Sequence, residues 1–217
     1  RLNQTALDAD ERSCELKVHQ LASERGFTPK VLACNDKYKL QEYFPGEVLS
    51  SLPVTLETLK LLALQLKKIH QLPALYAQPQ RLAFTLNQLK EKSKTAIDEA
   101  LFCRILKIAT ALDNSCPKNL LCHGDLSVNN LLINAEKQIK ILDWEYATLA
   151  CAAYDLASCI CINELDSAQQ KVLLTEYHAL NKDKLILSLS ALQRECGLYL
   201  TVFDYLNELW KGCFTAN

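Results

Sequence analysis

The segment 121–145 holds the side chains with the clearest capacity for chemistry. Asp125 lies in a polar loop after one short apolar run, and Asn130 and Asp143 each stand next to another. These runs predict two strands joined by a turn at 134–138, and antiparallel pairing would bring Asn130 and Asp143 together at one end of the hairpin, with Asp125 on the approach. Two carboxylates and an amide oxygen in one place form a hard-oxygen site that suits Mg²⁺, with the remaining positions left to water and phosphate.

Short strands and a larger set of helices must position this hairpin. Apolar runs bounded by turn residues predict strands over 31–34, 38–44, 120–122, 131–134 and 139–142. Apolar residues at helical spacing predict helices over 8–26, 55–72, 81–112 and from 152 to the end, with 81–112 forming two helices or one that kinks. Chemistry is expected in the loops around the central strands, because loops present reactive groups on a rigid scaffold.

Composition narrows the class of protein. Lys plus Arg number 24 against 25 for Asp plus Glu, and this balance argues against a nucleic-acid partner. No apolar run is long enough to cross a membrane and no signal peptide is evident, so neither membrane nor secretion is expected. The expected partner is a small-molecule substrate, and the oligomeric state stays open.

The 10 cysteines indicate a reducing compartment. Most lie in apolar segments, as small buried hydrophobic residues do, and they favour reduced core thiols in a cytoplasmic protein. No Cys-x-x-Cys occurs, and the only close pair is Cys159 and Cys161, so the spacing predicts no zinc site. The spacing of the cysteines gives no support to a disulfide scaffold or a redox switch either.

The motif residues around the hairpin resemble those of a known enzyme superfamily. The string His123-Gly-Asp125-Leu-x-x-x-Asn130, followed by Ile-Leu-Asp143-Trp-Glu145-Tyr-Ala, resembles the catalytic core of the aminoglycoside phosphotransferases and choline kinases, distant relatives of protein kinases. This version of the motif is most similar to bacterial choline or ethanolamine kinases and thiamine kinase. Such enzymes transfer phosphate from ATP directly, in line, to a hydroxyl group.

The resemblance implies a fold and a division of the chain. The fold would be α+β, a protein-kinase-like two-lobed fold with a truncated N-lobe and a mainly helical C-lobe. Residues 1–46 would be the remainder of the N-lobe and residues 47–217 the C-lobe with the catalytic loop and the substrate-binding helices. No Gly-rich loop that could cover the ATP phosphates occurs in this sequence.

The resemblance also implies roles at the catalytic loop. Asp125 would accept or orient the proton of the substrate hydroxyl, and Asn130 and Asp143 would hold Mg²⁺ against the phosphate oxygens. His123 would support the loop through hydrogen bonds, and Asp155, in the downstream string Tyr-Asp-Leu-Ala, would brace the loop. ATP and Mg²⁺ are the implied cofactors.

Residues nearer the N-terminus resemble the nucleotide-binding parts of such kinases. Arg12-x-x-Glu15 resembles the helix whose glutamate pairs with a basic strand residue, and Arg1 is the expected partner of Glu15. The string Glu42-Tyr43-Phe44-Pro-Gly resembles the hinge between the lobes, where backbone groups bind adenine.

Substrate-binding residues are predicted from charge and aromatic character. Glu145 could bind a second metal ion or the cationic end of the substrate. A cation could also lie over the aromatic side chains of Trp210 or Trp144. The C-terminal stripe Tyr199, Phe203, Tyr205 and Trp210 permits such a cage, although aromatic residues spaced along a helix more often form core.

Three other functions compete with a kinase for small cationic alcohols. An aminoglycoside phosphotransferase would need a strongly acidic substrate cleft, whereas the C-terminal helices mix Lys182, Lys184, Arg194 and Lys211 with acidic residues. A non-catalytic nucleotide-binding pseudokinase would usually have lost one of the three motif residues. A metal-dependent phosphatase would normally need more histidine ligands than the 4 scattered ones here.

Overall fold

The computed structural model describes residues 9–35, 38–49, 54–182 and 187–214. Within these ranges the chain is mainly helical. The helices are α1 (Ala9–Glu24), α2 (Leu56–Ile69), α3 (Leu82–Lys92), α4 (Glu99–Ser115), α5 (Ala152–Ile162), α6 (Ser167–Leu180) and α7 (Leu189–Phe214). The helical pattern over 81–112 thus resolves into two helices, the first of the two alternatives that the sequence left open.

Short antiparallel strands lie between the helices. They are β1 (Val31–Cys34), β2 (Lys39–Gln41), β3 (Glu47–Val48), β4 (Leu120–Cys122), β5 (Leu131–Ile133), β6 (Ile139–Ile141) and β7 (Thr148–Ala150). β1 pairs with β2, β5 lies between β3 and β6, and β4 pairs with β7. The strands β3 and β7 were not predicted, because β3 has only two residues and the apolar run of β7 continues into α5 without a turn residue.

Helix α2 shows how local sequence sets the ends of an element. Thr55 and Thr58 form a reciprocal capping box at its start, and two lysines occupy its last turn, where they favour the helix dipole. Leu62 and Leu66 on one face are completely buried, and α2 packs against α6. Burying each leucine contributes about 1.5–3 kcal/mol, so this face fixes the position of α2.

Helix α5 occupies the centre of the core. Nearly all of its residues are buried, and it packs against α7 on one side and β4 on another. A helix that is apolar on all sides is expected in such a position. Asp155 is the exception: it is a charged residue on α5 with no exposed surface.

The hairpin of β5 and β6 is antiparallel, as the sequence predicts. Leu131 lies opposite Ile141 and Ile133 opposite Ile139. The Asn134 side chain accepts a hydrogen bond from the Gln138 amide at 2.8 Å and so stabilises the turn. The hairpin also contacts the loop after α1, through the Ile141 amide and the Phe27 carbonyl at 2.7 Å.

None of the helices in the described part of the chain combines the length and the hydrophobicity that crossing a membrane requires.

Candidate active site

The loop between β4 and β5, residues 123–130, holds Asp125 and Asn130 together. The Asn130 side-chain nitrogen donates to the Asp125 carbonyl at 2.9 Å and to the Asp125 carboxylate at 3.0 Å. Only Nδ2 of an asparagine can donate, so these two bonds fix which end of the amide faces Asp125. The side-chain oxygen of Asn130, Oδ1, therefore points away from Asp125.

Asp143 lies two residues after the end of β6, the strand that pairs with β5. The Leu142 amide donates to the Asn130 carbonyl at 2.8 Å, so the ladder of β5 and β6 continues up to Asp143. Asp143 has a left-handed backbone with φ of 62° and begins the 3₁₀ turn Trp144–Tyr146. The expectation that the hairpin would bring Asn130 and Asp143 to one end is thus confirmed.

These residues fit a magnesium ion. Mg²⁺ prefers oxygen ligands, and it commonly keeps several waters while binding one or two carboxylates and substrate phosphates. The fixed Asn130 amide leaves its oxygen as a ligand atom, and Asp143 adds a carboxylate from the neighbouring strand end. Asn130 and Asp143 are the residues that would hold the ion.

A buried carboxylate braces the start of the loop. The Asp155 side chain accepts hydrogen bonds from the His123 amide at 3.0 Å, the Gly124 amide at 2.8 Å and the His70 ring at 2.9 Å. Burial acts to raise the pKa of Asp155, but the hydrogen bonds from His70, Gly124 and His123 outweigh burial, so the pKa lies below its ordinary value. Asp155 is therefore an ionised acceptor for all three donors.

His70 and Tyr177 extend this brace to two further helices. The other His70 ring nitrogen is hydrogen-bonded to the Tyr177 hydroxyl at 2.7 Å, and both side chains are buried. The sequence patterns described above did not single out His70, so these partners were missed. The available signal was the string Ile69-His70 at the end of α2, which resembles a Leu-His string of the family.

His123 is a neutral, structural histidine. Its Nε2 donates to the Leu142 carbonyl at 2.9 Å, and its Nδ1 accepts from the Asp125 amide at 3.3 Å. Burial lowers the pKa of His123, and the charge of Asp155 opposes this effect only in part. The ring packs against Trp144 with 4.8 Å between centroids. His123 thus connects the loop to the end of β6, as its predicted supporting role requires.

Two polar residues near the end of α5 complete the support of the loop. Ser158 donates to the Gly124 carbonyl at 2.6 Å. The Asn163 side chain accepts from the Val128 amide at 2.9 Å and donates to the Leu126 carbonyl at 3.0 Å. Sequence reasoning missed both residues, because a polar side chain on a helix gives no sign of which distant backbone atoms it will meet.

The structure describes only some of the residues predicted to bind the nucleotide. Glu15 is buried and pairs with Lys39 of β2 at 2.6 Å. Lys39 was not anticipated, because a single lysine in a strand is usually a solvated residue. Arg1 lies outside the described residues, and the side chain of Arg12 is likewise not described. The pairing of Glu15 with Arg1 therefore stays a prediction.

The proposed hinge, residues 42–46, connects β2 to β3. The Glu42 amide donates to the Lys30 carbonyl at 2.8 Å, and the Tyr43 side chain is 85% exposed. Phe44 is half-buried, with the Lys140 ammonium group 5.8 Å from its ring centre. Adenine binding by Glu42, Tyr43 and Phe44 stays a prediction.

The substrate-binding predictions need one correction. Trp144 has no exposed surface and packs against His123, so its ring has no face available to a substrate cation in this conformation. We assign Trp144 to the support of the loop. Glu145 is half-buried and lies beside Asp143 in the 3₁₀ turn, where binding of a cation remains a prediction.

The aromatic stripe of α7 is mostly core. Tyr199 and Phe203 both pack against Tyr154, with centroid separations of 5.7 and 5.4 Å, and Tyr205 packs against Phe102. Trp210 is 55% exposed, and its ring contacts Phe214 one turn further along the helix. These contacts do not join Trp210 to the catalytic loop, and its role in substrate binding stays a prediction.

A cavity of about 520 Å³ lies beside α1 and β1, away from the residues just described. Its lining includes Leu16 and Gln20 of α1 together with Lys30, Val31 and Cys34. None of the residues 123–130 lines it. The hydrogen-bonded loop, and not this cavity, therefore defines the candidate active site.

The sequence and the fold both have known relatives. A curated protein of Metamycoplasma hominis, called a LicA homolog, is 28% identical over 162 residues, which cover 72% of this chain and 63% of that protein. A probable choline kinase of Arabidopsis thaliana is 28% identical over 161 residues, covering 69% of this chain and 46% of that protein. The chain thus spans less than two thirds of the length of either relative.

A solved structure shows the same fold. The choline kinase LicA from Streptococcus pneumoniae superposes with a TM-score of 0.73 at 17% identity, over 95% of this chain and 75% of that one. This likeness bears out the α+β, protein-kinase-like fold. In addition, the family model described as the phosphotransferase enzyme family matches residues 1–187. The chain belongs to the phosphotransferase enzyme family.

Proposed function

We propose that the protein is an ATP- and Mg²⁺-dependent kinase that phosphorylates the hydroxyl of a small cationic alcohol. Choline, ethanolamine and thiamine are the candidate acceptors. The observation that carries this proposal is the pair of hydrogen bonds from Asn130 to Asp125, because they orient one catalytic carboxylate and one metal-ligand oxygen with a single amide. The division into residues 1–46 and 47–217 is part of the same proposal.

The chemistry assigned to the chain is mainly positioning. Phosphoryl transfer needs little covalent help from the protein, so orientation and neutralisation of charge supply most of the rate. Asp125 accepts or orients the proton of the acceptor hydroxyl, and Asn130 prevents the Asp125 carboxylate from rotating. Mg²⁺, when bound by Asn130 and Asp143, would supply positive charge to the phosphate oxygens.

Similarity to choline kinases supports a cationic acceptor. Two of the three relatives reported above carry choline kinase in their names. Glu145 is the anionic side chain nearest in sequence to Asp143, and it could attract an ammonium group. An aminoglycoside phosphotransferase is the competing assignment within the family, and the mixed charges of the C-terminal helices count against it.

A panel of acceptors tests this proposal. Full-length protein would be incubated with Mg²⁺, ATP and one acceptor at a time: choline, ethanolamine, thiamine or an aminoglycoside. The readout is the new phosphomonoester, detected by phosphorus NMR. We expect turnover with one of the three small cationic alcohols, and a reduction of about 10²–10⁴-fold in Asp125→Asn, the range for loss of a general base.

The control is a carboxylate-to-amide change away from the loop. Glu136→Gln lies at the exposed turn of the hairpin and should leave turnover unchanged. Turnover with the aminoglycoside alone would transfer the assignment to the resistance enzymes. ATP binding without any turnover would indicate a pseudokinase. Release of phosphate from monoesters in the absence of nucleotide would replace the kinase by a phosphatase.

A further inference from the structure

A group of thiols and a carboxylate lies apart from the catalytic loop, where three helices meet. Cys116 follows the last residue of α4, Cys151 precedes the first residue of α5, and Glu195 lies on α7. One ligand atom from each of these residues lies within 4.8 Å of the other two. The three residues are far apart in sequence, so the fold and not a local motif brings them together.

We propose that Cys116, Cys151 and Glu195 bind a Zn²⁺ ion that links α4, α5 and α7. Thiolate sulfur and carboxylate oxygen are both common zinc ligands. Zinc–sulfur bonds of about 2.3 Å in a tetrahedral site place two sulfur atoms roughly 3.8 Å apart, so the group needs to contract by no more than about 1 Å. The Tyr199 hydroxyl lies 3.4 Å from the Cys151 sulfur, and the fourth position falls to this hydroxyl or to water.

Burial makes ionisation of these ligands costly, so metal binding at this group would be coupled to loss of protons. Cys151 is buried, and burial raises the pKa of its thiol to about 11. Burial also raises the pKa of Glu195, and the positive charge of Arg194 opposes this only in part. A divalent cation would reverse both effects, because it stabilises the ionised ligands, and binding would release the thiol protons to solvent.

A second grouping, made up of His70, Cys122 and Asp155, shows why clustering alone is insufficient. The ligand atoms of these side chains also lie within 4.8 Å of one another, but those of His70 and Asp155 belong to the hydrogen-bond network that supports the loop 123–130. His70 is bonded to Asp155 at 2.9 Å and to Tyr177 at 2.7 Å, and the Cys122 thiol donates to a backbone carbonyl. An ion there would have to break the brace of the catalytic loop.

Cobalt binding tests the proposed site without reference to catalysis. Full-length protein would be reduced, treated with a chelator and titrated with Co²⁺ under anaerobic conditions. We expect one equivalent to produce the near-ultraviolet thiolate-to-cobalt absorption and the visible bands of a tetrahedral site, and Zn²⁺ to displace it. Loss of even an outer partner costs roughly 10–100-fold in metal affinity, so Cys116→Ser and Glu195→Gln should each cost at least that.

Matched controls separate this site from the other thiols. Cys103 lies on α4, the helix that ends just before Cys116, but its side chain is exposed. Cys34 is exposed on β1. Cys103→Ser and Cys34→Ser should leave the cobalt spectrum unchanged, and thermal unfolding of Cys116→Ser should confirm that this variant folds.

Three results would overturn the proposal. The first is the absence of thiolate–cobalt absorption in reduced wild-type protein. The second is a spectrum that Cys116→Ser does not alter. The third is a disulfide between Cys116 and Cys151 in protein isolated without reductant, detected by peptide mapping, because the pair would then be a redox site.

Discussion

The catalytic loop, residues 123–130, and the segment 31–46 differ in how they are held. Buried or half-buried side chains from other elements bond the backbone of the loop, among them Asp155, Ser158 and Asn163. The segment 31–46 presents its side chains to solvent: Leu32 is 58% and Leu40 59% exposed. Its main buried anchor is the pair of Lys39 with Glu15.

This structural difference matches the function proposed for each region, catalysis for the loop and nucleotide binding for the segment 31–46. Proton and metal positioning tolerates little displacement, and side chains of the core helix α5 hold the loop in place. Nucleotide entry and release require a part of the structure that can open at low cost in free energy, and such parts have few buried contacts. Substitutions in the two regions should therefore have unequal effects on stability, and paired variants measure the inequality.

The largest effect is expected at Asp155. Asp155→Ala removes the acceptor shared by the His70 ring and two loop amides, and it should lower the unfolding free energy by about 3–5 kcal/mol, because each buried donor left without a partner costs about 1–3 kcal/mol. Urea unfolding followed by circular dichroism would measure it. The exposed Asp204→Ala on α7 is the control and should remain within about 0.5 kcal/mol of wild type. A loss below about 1 kcal/mol at Asp155 would contradict the brace.

The same substitution at two leucines compares the regions directly. Leu126 in the loop has no exposed surface, so Leu126→Ala should cost about 2–5 kcal/mol of unfolding free energy. Leu40 on β2 is largely exposed, and Leu40→Ala should cost no more than about 0.5 kcal/mol. Equal losses in urea unfolding would show that the segment 31–46 is as firmly held as the loop.

Two glycines provide a third comparison. Gly26 and Gly124 share a φ of 75°, so alanine at either position is strained by about 1–2 kcal/mol. Only at Gly124 would the new methyl group collide with backbone, at the Tyr146 carbonyl, and such overpacking adds roughly 1–3 kcal/mol. Gly124→Ala should therefore have the lower midpoint in urea. A midpoint equal to that of Gly26→Ala would show that the loop accommodates the methyl group without loss of unfolding free energy.

The smallest expected effect is a loss of folding stability at acidic pH. Burial lowers the pKa of His123 in the loop and of His19 beside the segment 31–46 below the ordinary 6.5. The unfolded chain then binds more protons below pH 6.5, so stability is complete above that pH and decreases as the solution becomes more acidic. The slope approaches about 1.4 kcal/mol per pH unit for each histidine. NMR titration of the ring protons would measure both pKa values, and a value at or above 6.5 would contradict burial of that ring.

Local patterns in the sequence predicted most of the elements and the catalytic hairpin. The spacing of apolar residues located the helices, and the turn residues 134–138 located the antiparallel hairpin, in which the structure pairs Leu131 with Ile141. Asp125, Asn130 and Asp143 lie within this one local unit, which is why their proximity could be inferred before the structure.

The support of the site could not be predicted in the same way. Asp155 meets His70, which is 85 residues away, and Tyr177 meets His70 across 107 residues. Periodicity indicates which face of a helix is buried but not which partner it meets. Trp144 lies outside any helical or strand pattern, so its aromatic character suggested substrate binding although it is core. The cluster of Cys116, Cys151 and Glu195 escaped notice for the same reason, because its members share no local spacing.

Binding of Mg²⁺ and ATP to two carboxylate variants tests the central claim most directly. Asp125→Asn and Asp143→Asn make the same chemical change in the same site, but only Asp143 is assigned to the metal. Calorimetry with ATP, in the presence and absence of Mg²⁺, should show near wild-type Mg²⁺-dependent binding in Asp125→Asn and a loss of at least about tenfold in Asp143→Asn, or about 1.4 kcal/mol. Magnesium-dependent binding that survives unchanged in Asp143→Asn would contradict the assignment of the metal site.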